Sequence, residues 1–332
     1  MATAPEEFPV IDLGPVLAGA PGALAAAAGQ LRRALTELGF YAIVNHGIAQ
    51  ALVDAAYREA ARFHALPEAA KNAVLIDRHN VGYLPLRGDT LRTSVVETVT
   101  RANFNEAFFV ARDLPPDHPD VVADRRFRSA NRWPRDLPGF RETVMAYCTA
   151  LEGLVATLVP LYAVALDLPP RYFDAPFREF QWKLRMTHYP PQPPASAADD
   201  GNGEFGIAPH TDTSFLTLLA PNDVPGLSIR RPDGTWRDAP RIPGAFLVNG
   251  GQMLVRWTND RFLATPHRAV NRSGGERYAL AFFCDANIDW PVAAVPTTVG
   301  PDRPPRYPTT WYTDYMVQYQ KRTYDLLAGE NA

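Results

Sequence analysis

Between residues 181 and 284 the sequence keeps restarting: short runs rich in Val, Ile, Leu, Thr, Tyr and Phe are cut every few positions by Pro or Gly. The runs read as strands at Gln181–Tyr189, 214–220, 227–231, 245–249 and 278–284. Asp233-Gly234, set between Ile229 and Trp236, marks a hairpin turn. Many short antiparallel strands need to close on one another, and a jelly-roll barrel is the arrangement they suggest. Upstream the period is different. Apolar residues recur at helical spacing over 21–38, where Gly39 stops the run, and again over 49–65 and 141–165, with a strand at Phe40–Val44. Residues 86–138 are mixed and resist assignment. The apolar stretch 150–168 is interrupted by Glu152 and Pro160, so it reads as a buried, kinked helix and not as a membrane span. A segment of small and polar residues, 191–209, reads as a mobile loop, and 312–327 as an amphipathic helix on the outside of the barrel or across its mouth.

The chemistry in this barrel starts with His210 and Asp212 in PHTDTSFLTLL, answered 57 residues later by His267 in ATPHRAV. Two imidazoles and one carboxylate are the donor set of a facial triad, which holds Fe(II) on one side and leaves positions open on the other. Residues i and i+2 of a strand share a face, so a strand through Asp212 would let the pair converge on one ion. The pair alone says little, since a lone His is more often a core or surface residue. Arg277 in GERYALAFF strengthens it. It falls on an apolar strand face with Ala279, Ala281 and Phe283, where an unpaired guanidinium is costly and an anionic partner is expected, from either the protein or a ligand. On the strand before the loop, Arg185, Thr187 and Tyr189 share one face and Leu184, Met186 and His188 the other. Arg185 can hold a second anion, either a substrate carboxylate or the metal-bound end of an oxo acid, or it can reach solvent at the barrel rim.

These residues, with FPVIDL at the start, GFYAIVNHGI, LRMTHYPP, IPGAFLVNGGQML and TNDRFLATPHRAV, resemble the Fe(II)- and 2-oxoglutarate-dependent oxygenases of the isopenicillin N synthase-like, plant dioxygenase type. The motifs follow the family's order over most of the chain. The resemblance implies a mainly β fold with flanking helices: a double-stranded β-helix (jelly-roll) core behind an N-terminal α/β region. It implies Fe(II) on His210, Asp212 and His267, with 2-oxoglutarate anchored by Arg277 and Tyr189, and with Thr187 and Arg185 as further contacts. It also implies O2 as co-substrate, and succinate and CO2 as products of hydroxylating, desaturating or cyclising a small molecule. Three positions depart from the pattern. Ala279 replaces the Ser of Arg-x-Ser, removing a hydrogen bond to the co-substrate worth about 1.5–3 kcal/mol. Thr187 stands where Asn is usual, and Gln252 where Asp is common. An iron oxidase or cyclase of the same fold that dispenses with 2-oxoglutarate, drawing electrons from substrate or ascorbate, would suit the relaxed motif. A zinc hydrolase or a non-redox metal-binding module is the remote alternative.

Of the remaining histidines, His46 in VNHG matches a structural turn of the family, His188 lies on the other strand face, and His64, His79 and His118 have no partner at ligand spacing. The glycine pairs Gly250-Gly251 and Gly274-Gly275 read as turns and not as phosphate loops. A net charge of −3 and the lack of basic blocks argue against nucleic acid or a membrane surface and for a small-molecule partner. Two cysteines in apolar settings, and no signal-like start, fit a reducing cytoplasm. The expected organisation is one globular unit over 1–332, with an N-terminal region 8–125, a jelly-roll core 180–285 and a C-terminal helix 310–328.

Overall fold

The computed structural model describes residues 8–192, 205–220 and 223–324. The first half runs β1 (Val10–Asp12), α1 (Gly14–Leu17), α2 (Ala23–Glu37), β2 (Phe40–Val44), α3 (Gln50–His64), α4 (Glu68–Asn72), β3 (Gly82–Leu84), β4 (Glu106–Ala111), α5 (Pro119–Val122) and α6 (Phe140–Ala165). The barrel strands follow: β5 (Gln181–Tyr189), β6 (Ile207–His210), β7 (Leu216–Ala220), β8 (Leu227–Arg230), β9 (Trp236–Asp238) and β10 (Phe246–Gly250). After α7 (Gln252–Trp257) come β11 (His267–Ala269), β12 (Arg277–Asp285) and the final helix α8 (Tyr312–Thr323). β2 and β5 match the expected limits, and the three long helices fall within two residues of theirs. The unassigned stretch yields β4 and α5. Residues 193–204 of the expected loop, and 325–328 of the expected helix, lie outside the described residues.

The strands form two sheets of unequal size. Eight make the large one, in the order β1-β2-β10-β7-β12-β5-β4-β3, and four make the small one, β6-β11-β8-β9. The large sheet brings the N-terminal strands to both edges of the jelly-roll sheet, so the two sequence regions share one hydrogen-bonded surface. β5 and β12 form its spine, paired over nine residues from Arg277↔Tyr189 to Asp285↔Gln181.

Their two faces differ in kind. Outward, Trp182, Leu184 and Met186 of β5 and Leu280, Phe282 and Cys284 of β12 join the main hydrophobic core, together with Phe63 of α3 and the buried side of α6. α6 satisfies membrane-span criteria by length and apolarity, yet it packs against α2 and α3 as a core helix and runs on past Pro160. Its Tyr162 hydroxyl meets that of Tyr41 at 3.0 Å. α2 buries Ala27, Ala28, Leu31, Ala34 and Leu35, one stripe at helical spacing, and ends where Gly39 takes φ +75°. Inward, the same two strands present Lys183, Arg185, Thr187 and Tyr189 opposite Phe283, Ala281, Ala279 and Arg277. Most of the apolar free energy thus lies outside the barrel, leaving the interior able to carry charge.

Candidate metal centre and its two chambers

His210 closes β6 and His267 opens β11, and antiparallel pairing sets them directly opposite each other with ring centroids 4.3 Å apart. The expectation that Asp212 shares a strand with His210 is corrected. β6 stops at His210, and 211–215 form a corner through which the chain passes from the small sheet to β7 of the large one. Competing hydrogen bonds explain the break: the Gln252 and Met253 N–H groups at the start of α7 donate to the carbonyls of Asp212 (2.8 Å) and Thr213 (3.0 Å), and the Gln252 amide donates to Thr211 Oγ1 (3.0 Å). Gln252, one of the departures from the family pattern, adds a side-chain bond to this corner, while the backbone N–H groups of α7 supply the other two. Gly251 permits the contact, because a Cβ there would stand 2.4 Å from the Ser214 carbonyl oxygen. The reading of Gly250-Gly251 as a plain turn is likewise corrected: the pair joins β10 directly to α7, whose first N–H groups serve the corner.

At this corner the three donors converge. Both His Nε2 atoms lie 3.6 Å from Asp212 Oδ1, and all three ligand atoms fall within 4.8 Å of one another. Every other valence is occupied. His210 Nδ1 is bonded to the Ala208 carbonyl (2.9 Å) and His267 Nδ1 to the Thr265 carbonyl (3.1 Å), which leaves each Nε2 lone pair facing inward. Asp212 Oδ2 accepts from Thr217 Oγ1 (2.6 Å) and Asn249 Nδ2 (2.7 Å), which leaves Oδ1 for the centre. Burial opposes the charge on Asp212, but the two imidazoles outweigh it and hold the carboxylate ionised well below its usual range. Burial and His267 lower the pKa of His210. For His267 burial works in the same direction, but Asp212 overcomes it and raises the value. Two nitrogens and one oxygen on one side of a buried point, with one negative charge among them, fit a single divalent ion of the non-haem Fe(II) kind.

Two chambers open from this point. One, of about 650 Å³, is lined by Thr187, Tyr189, Arg277 and Ala279 as well as the triad. Arg277 is 6 % exposed, its guanidinium lies 4.6 Å from the Tyr189 ring centre, and its Nε and Nη1 have no hydrogen-bond partner. It forms no ion pair among the described residues. Ala279 lies directly across from Thr187, so a threonine hydroxyl borders the place where the family's serine would stand. Arg185 lines both chambers but is already engaged: its Nη2 donates to Asn105 Oδ1 (2.7 Å) and pairs with Asp89 (3.4 Å). Of its three sequence readings, reach to solvent at the rim is excluded by this burial. The second chamber has α8 as its far wall.

The expectation that His64 lacks a partner is also corrected. His64, Glu106 and His188 form a second cluster within 4.8 Å on the outer side of β5, assembled from α3, β4 and β5. His46 bonds the Gly244 carbonyl (2.8 Å), His79 pairs with Asp124 (3.0 Å), and His118 accepts from the Asp120 N–H, all structural uses. Sequence reasoning missed Thr217, Asn249, Glu106 and Lys183. Thr217 and Asn249 do stand inside the motifs HTDTSFLTLL and LVNGG, which was the available signal.

Comparison with known proteins agrees with this geometry. Residues 8–136 match the family model described as the N-terminal region of the non-haem dioxygenase in morphine synthesis, and 182–286 match the 2OG-Fe(II) oxygenase superfamily. The 2-oxoglutarate-Fe(II) type oxidoreductase hxnY of Emericella nidulans is 32% identical over 97% of this chain and 91% of its own length. The 2-oxoglutarate-dependent dioxygenase citB of Monascus ruber is 33% identical over 85% and 86%. The crystal structure of a full-length Neurospora crassa protein in complex with alpha-KG and thymine superposes with TM-score 0.80 at 25% identity, covering 95% of this chain and 96% of that one. Relatives named for 2-oxoglutarate favour the oxo-acid chemistry over the iron-only oxidase. With both halves matched and the donor set in place, the chain belongs to the Fe(II)- and 2-oxoglutarate-dependent oxygenases of the isopenicillin N synthase-like type.

Proposed function

We propose that His210, Asp212 and His267 hold the Fe(II), that Arg277 takes the distal carboxylate of 2-oxoglutarate, and that a small organic substrate is oxidised from the second chamber. The observation that carries this reading is the buried, unpartnered Arg277 in the wall of the first chamber, which the triad also lines. A guanidinium desolvated without an anion costs several kcal/mol, and a dicarboxylic oxo acid supplies that anion while its other end reaches the metal side. Tyr189 packs against the guanidinium and restricts its plane, which suits bidentate pairing. Thr187, facing Ala279, provides the hydroxyl that the chain's Arg-x-Ala sequence omits. Thr217 and Asn249 fix the Asp212 carboxylate, and the Ala208 and Thr265 carbonyls fix the imidazoles, so little reorganisation remains when the ion binds. Bound at these residues, Fe(II) with 2-oxoglutarate and O2 supplies oxidation of an otherwise unreactive carbon, coupled to decarboxylation of the oxo acid to succinate and CO2. Substrate position then selects among hydroxylation, desaturation and cyclisation.

Anaerobic titration of the Fe(II) protein with 2-oxoglutarate, followed by its visible charge-transfer band, tests the assignment. Arg277→Ala is expected to weaken binding on the order of a hundredfold, because truncating one partner of a buried charge pair costs about 2–5 kcal/mol. An undiminished band in that variant would show that another residue is the anchor. Oxygen uptake independent of 2-oxoglutarate would reject the co-substrate.

A further inference from the structure

The inward face of β5 forms a graded row. Tyr189 and Thr187 belong to the chamber of Arg277, Arg185 touches both, and Lys183 lies only in the second chamber, of about 630 Å³. Arg185 is paired with Asp89, whereas the only carboxylate acting on Lys183 among the described residues is Asp77, which favours its charge without forming an ion pair with it. Its Nζ donates to the His79 carbonyl (2.7 Å), and it makes no ion pair among the described residues. It is 4 % exposed. An ammonium has three donors, so capacity is left over. Asn80, also lining this chamber and 3 % exposed, has a side-chain oxygen without any partner, and its amide can be turned to donate instead.

The chamber's other acid does not cancel the lysine. Asp285 accepts from the Phe215 N–H (2.9 Å), while burial and the neighbouring Asp212 push its pKa well up. Burial likewise brings Lys183 down to about 7, although Asp77 pulls the other way, so the side chain gains a full charge readily once an anion arrives. The rest of the wall is apolar and aromatic, with Leu91, Phe109, Met316 and Phe283.

We propose that Lys183, with Asn80, is the carboxylate-reading subsite of the substrate chamber, and that the substrate is a small carboxylic acid with an apolar or aromatic body. The proposal rests on the oxygenase reading above. His210 and Asp212 line the same chamber as Lys183, so a substrate held there by its acid group also faces the metal side.

The test uses the Fe(II) protein saturated with 2-oxoglutarate under anaerobic conditions. Phenylacetate, 3-phenylpropionate and 4-phenylbutyrate are titrated beside their primary amides, and the shift of the charge-transfer band is followed. At least one acid is expected to act at a tenfold lower concentration than its amide. Lys183→Met should erase that preference and Asn80→Ala should narrow it, with each variant's 2-oxoglutarate titration serving as the folding control. If no acid outperforms its amide in the wild type, or if the preference survives in Lys183→Met, the subsite is wrong while the oxygenase reading stands. If no band forms at all, the oxygenase reading fails and takes this inference with it.

Discussion

Two clusters of two histidines and one carboxylate lie on opposite sides of the large sheet, and they are built to opposite ends. In His210, Asp212 and His267 one carboxylate oxygen is tied back and the other is left facing two free nitrogens at 3.6 Å. In His64, Glu106 and His188 neither oxygen is left. Glu106 Oε2 takes the Lys71 ammonium (2.8 Å) and the Tyr83 hydroxyl, and Oε1 takes His188 Nδ1 (2.7 Å). A donor list therefore does not make a metal site. The difference lies in which valences the surrounding chain has already spent, and in whether a cation is already supplied. Lys71 plays in the outer cluster the part that the ion plays in the inner one, so the outer cluster fastens α3, α4, β3 and β4 to β5.

The largest expected effect would separate the two clusters outright. Asp212→Ala should abolish Fe(II) binding and turnover while leaving the fold, since the apolar core is elsewhere; metal analysis and circular dichroism report both. Unchanged iron affinity would end the comparison at once. Glu106→Gln should do the reverse, keeping iron affinity but lowering unfolding free energy by about 1–3 kcal/mol, because the half-buried Lys71 loses its ion pair and His188 its charged acceptor. Denaturant unfolding at equal metal content measures it. Next in size, Thr217→Val or Asn249→Ala should weaken Fe(II) binding by about 10–100-fold, the usual loss when a ligand's orienting partner is removed. Equal affinity would mean that Asp212 needs no orientation. Ala279→Ser should tighten 2-oxoglutarate by less than about tenfold, since Thr187 already offers a hydroxyl across the strand pair.

The smallest effect is a matter of pH. Burial opposes the charge on His188, but Glu106 and Glu276 outweigh it and raise its pKa above 6.5. Burial also opposes the charge on Glu106, yet His188, His64, Lys71 and Tyr83 hold its pKa far below 4.5. The Glu106 contribution is present above its ordinary value and lost on acidification. The His188 contribution is full below 6.5 and lost as pH rises through the folded value. His64, lowered mainly by burial, adds a penalty on the acid side. Stability from this network should peak in mild acid and decline slightly toward pH 8, and His188→Gln should flatten the decline in thermal unfolding.

The sequence is most legible where one face of an element is uniform. β5 and β2 read correctly because their apolar residues leave no competing period, and the inner row from Arg185 to Tyr189 follows from alternation alone. β4 is a short, mostly apolar run of six buried residues, like β2, but it lies in a stretch of mixed pattern with no helix ending at a glycine just before it to mark where a strand begins. Glu106 begins that strand, and its histidine partners come from elements 42 and 82 residues away in the chain. Spacing puts Asp212 on a strand because it records only i and i+2; the hydrogen bonds from α7 that turn the chain there join residues far apart in sequence. Lys183 shares the alternation of Arg185, Thr187 and Tyr189 and so is readable as inward; what the sequence does not carry is that its ammonium is buried without an ion pair among the described residues.

The corner at 211–215 belongs to neither sheet, and that has a kinetic consequence. Asp212 is held in place by hydrogen bonds from α7, and His267 by the pairing of β11 with β6, so the ligand set depends on separate elements staying docked together. The same hydrogen bonds from Gln252 and Met253 should be the first to open in the finished protein, and amide exchange at those two residues should slow when Fe(II) is bound. A substitution at Gly251 would therefore be felt first as faster loss of iron, and only later as a lower melting temperature.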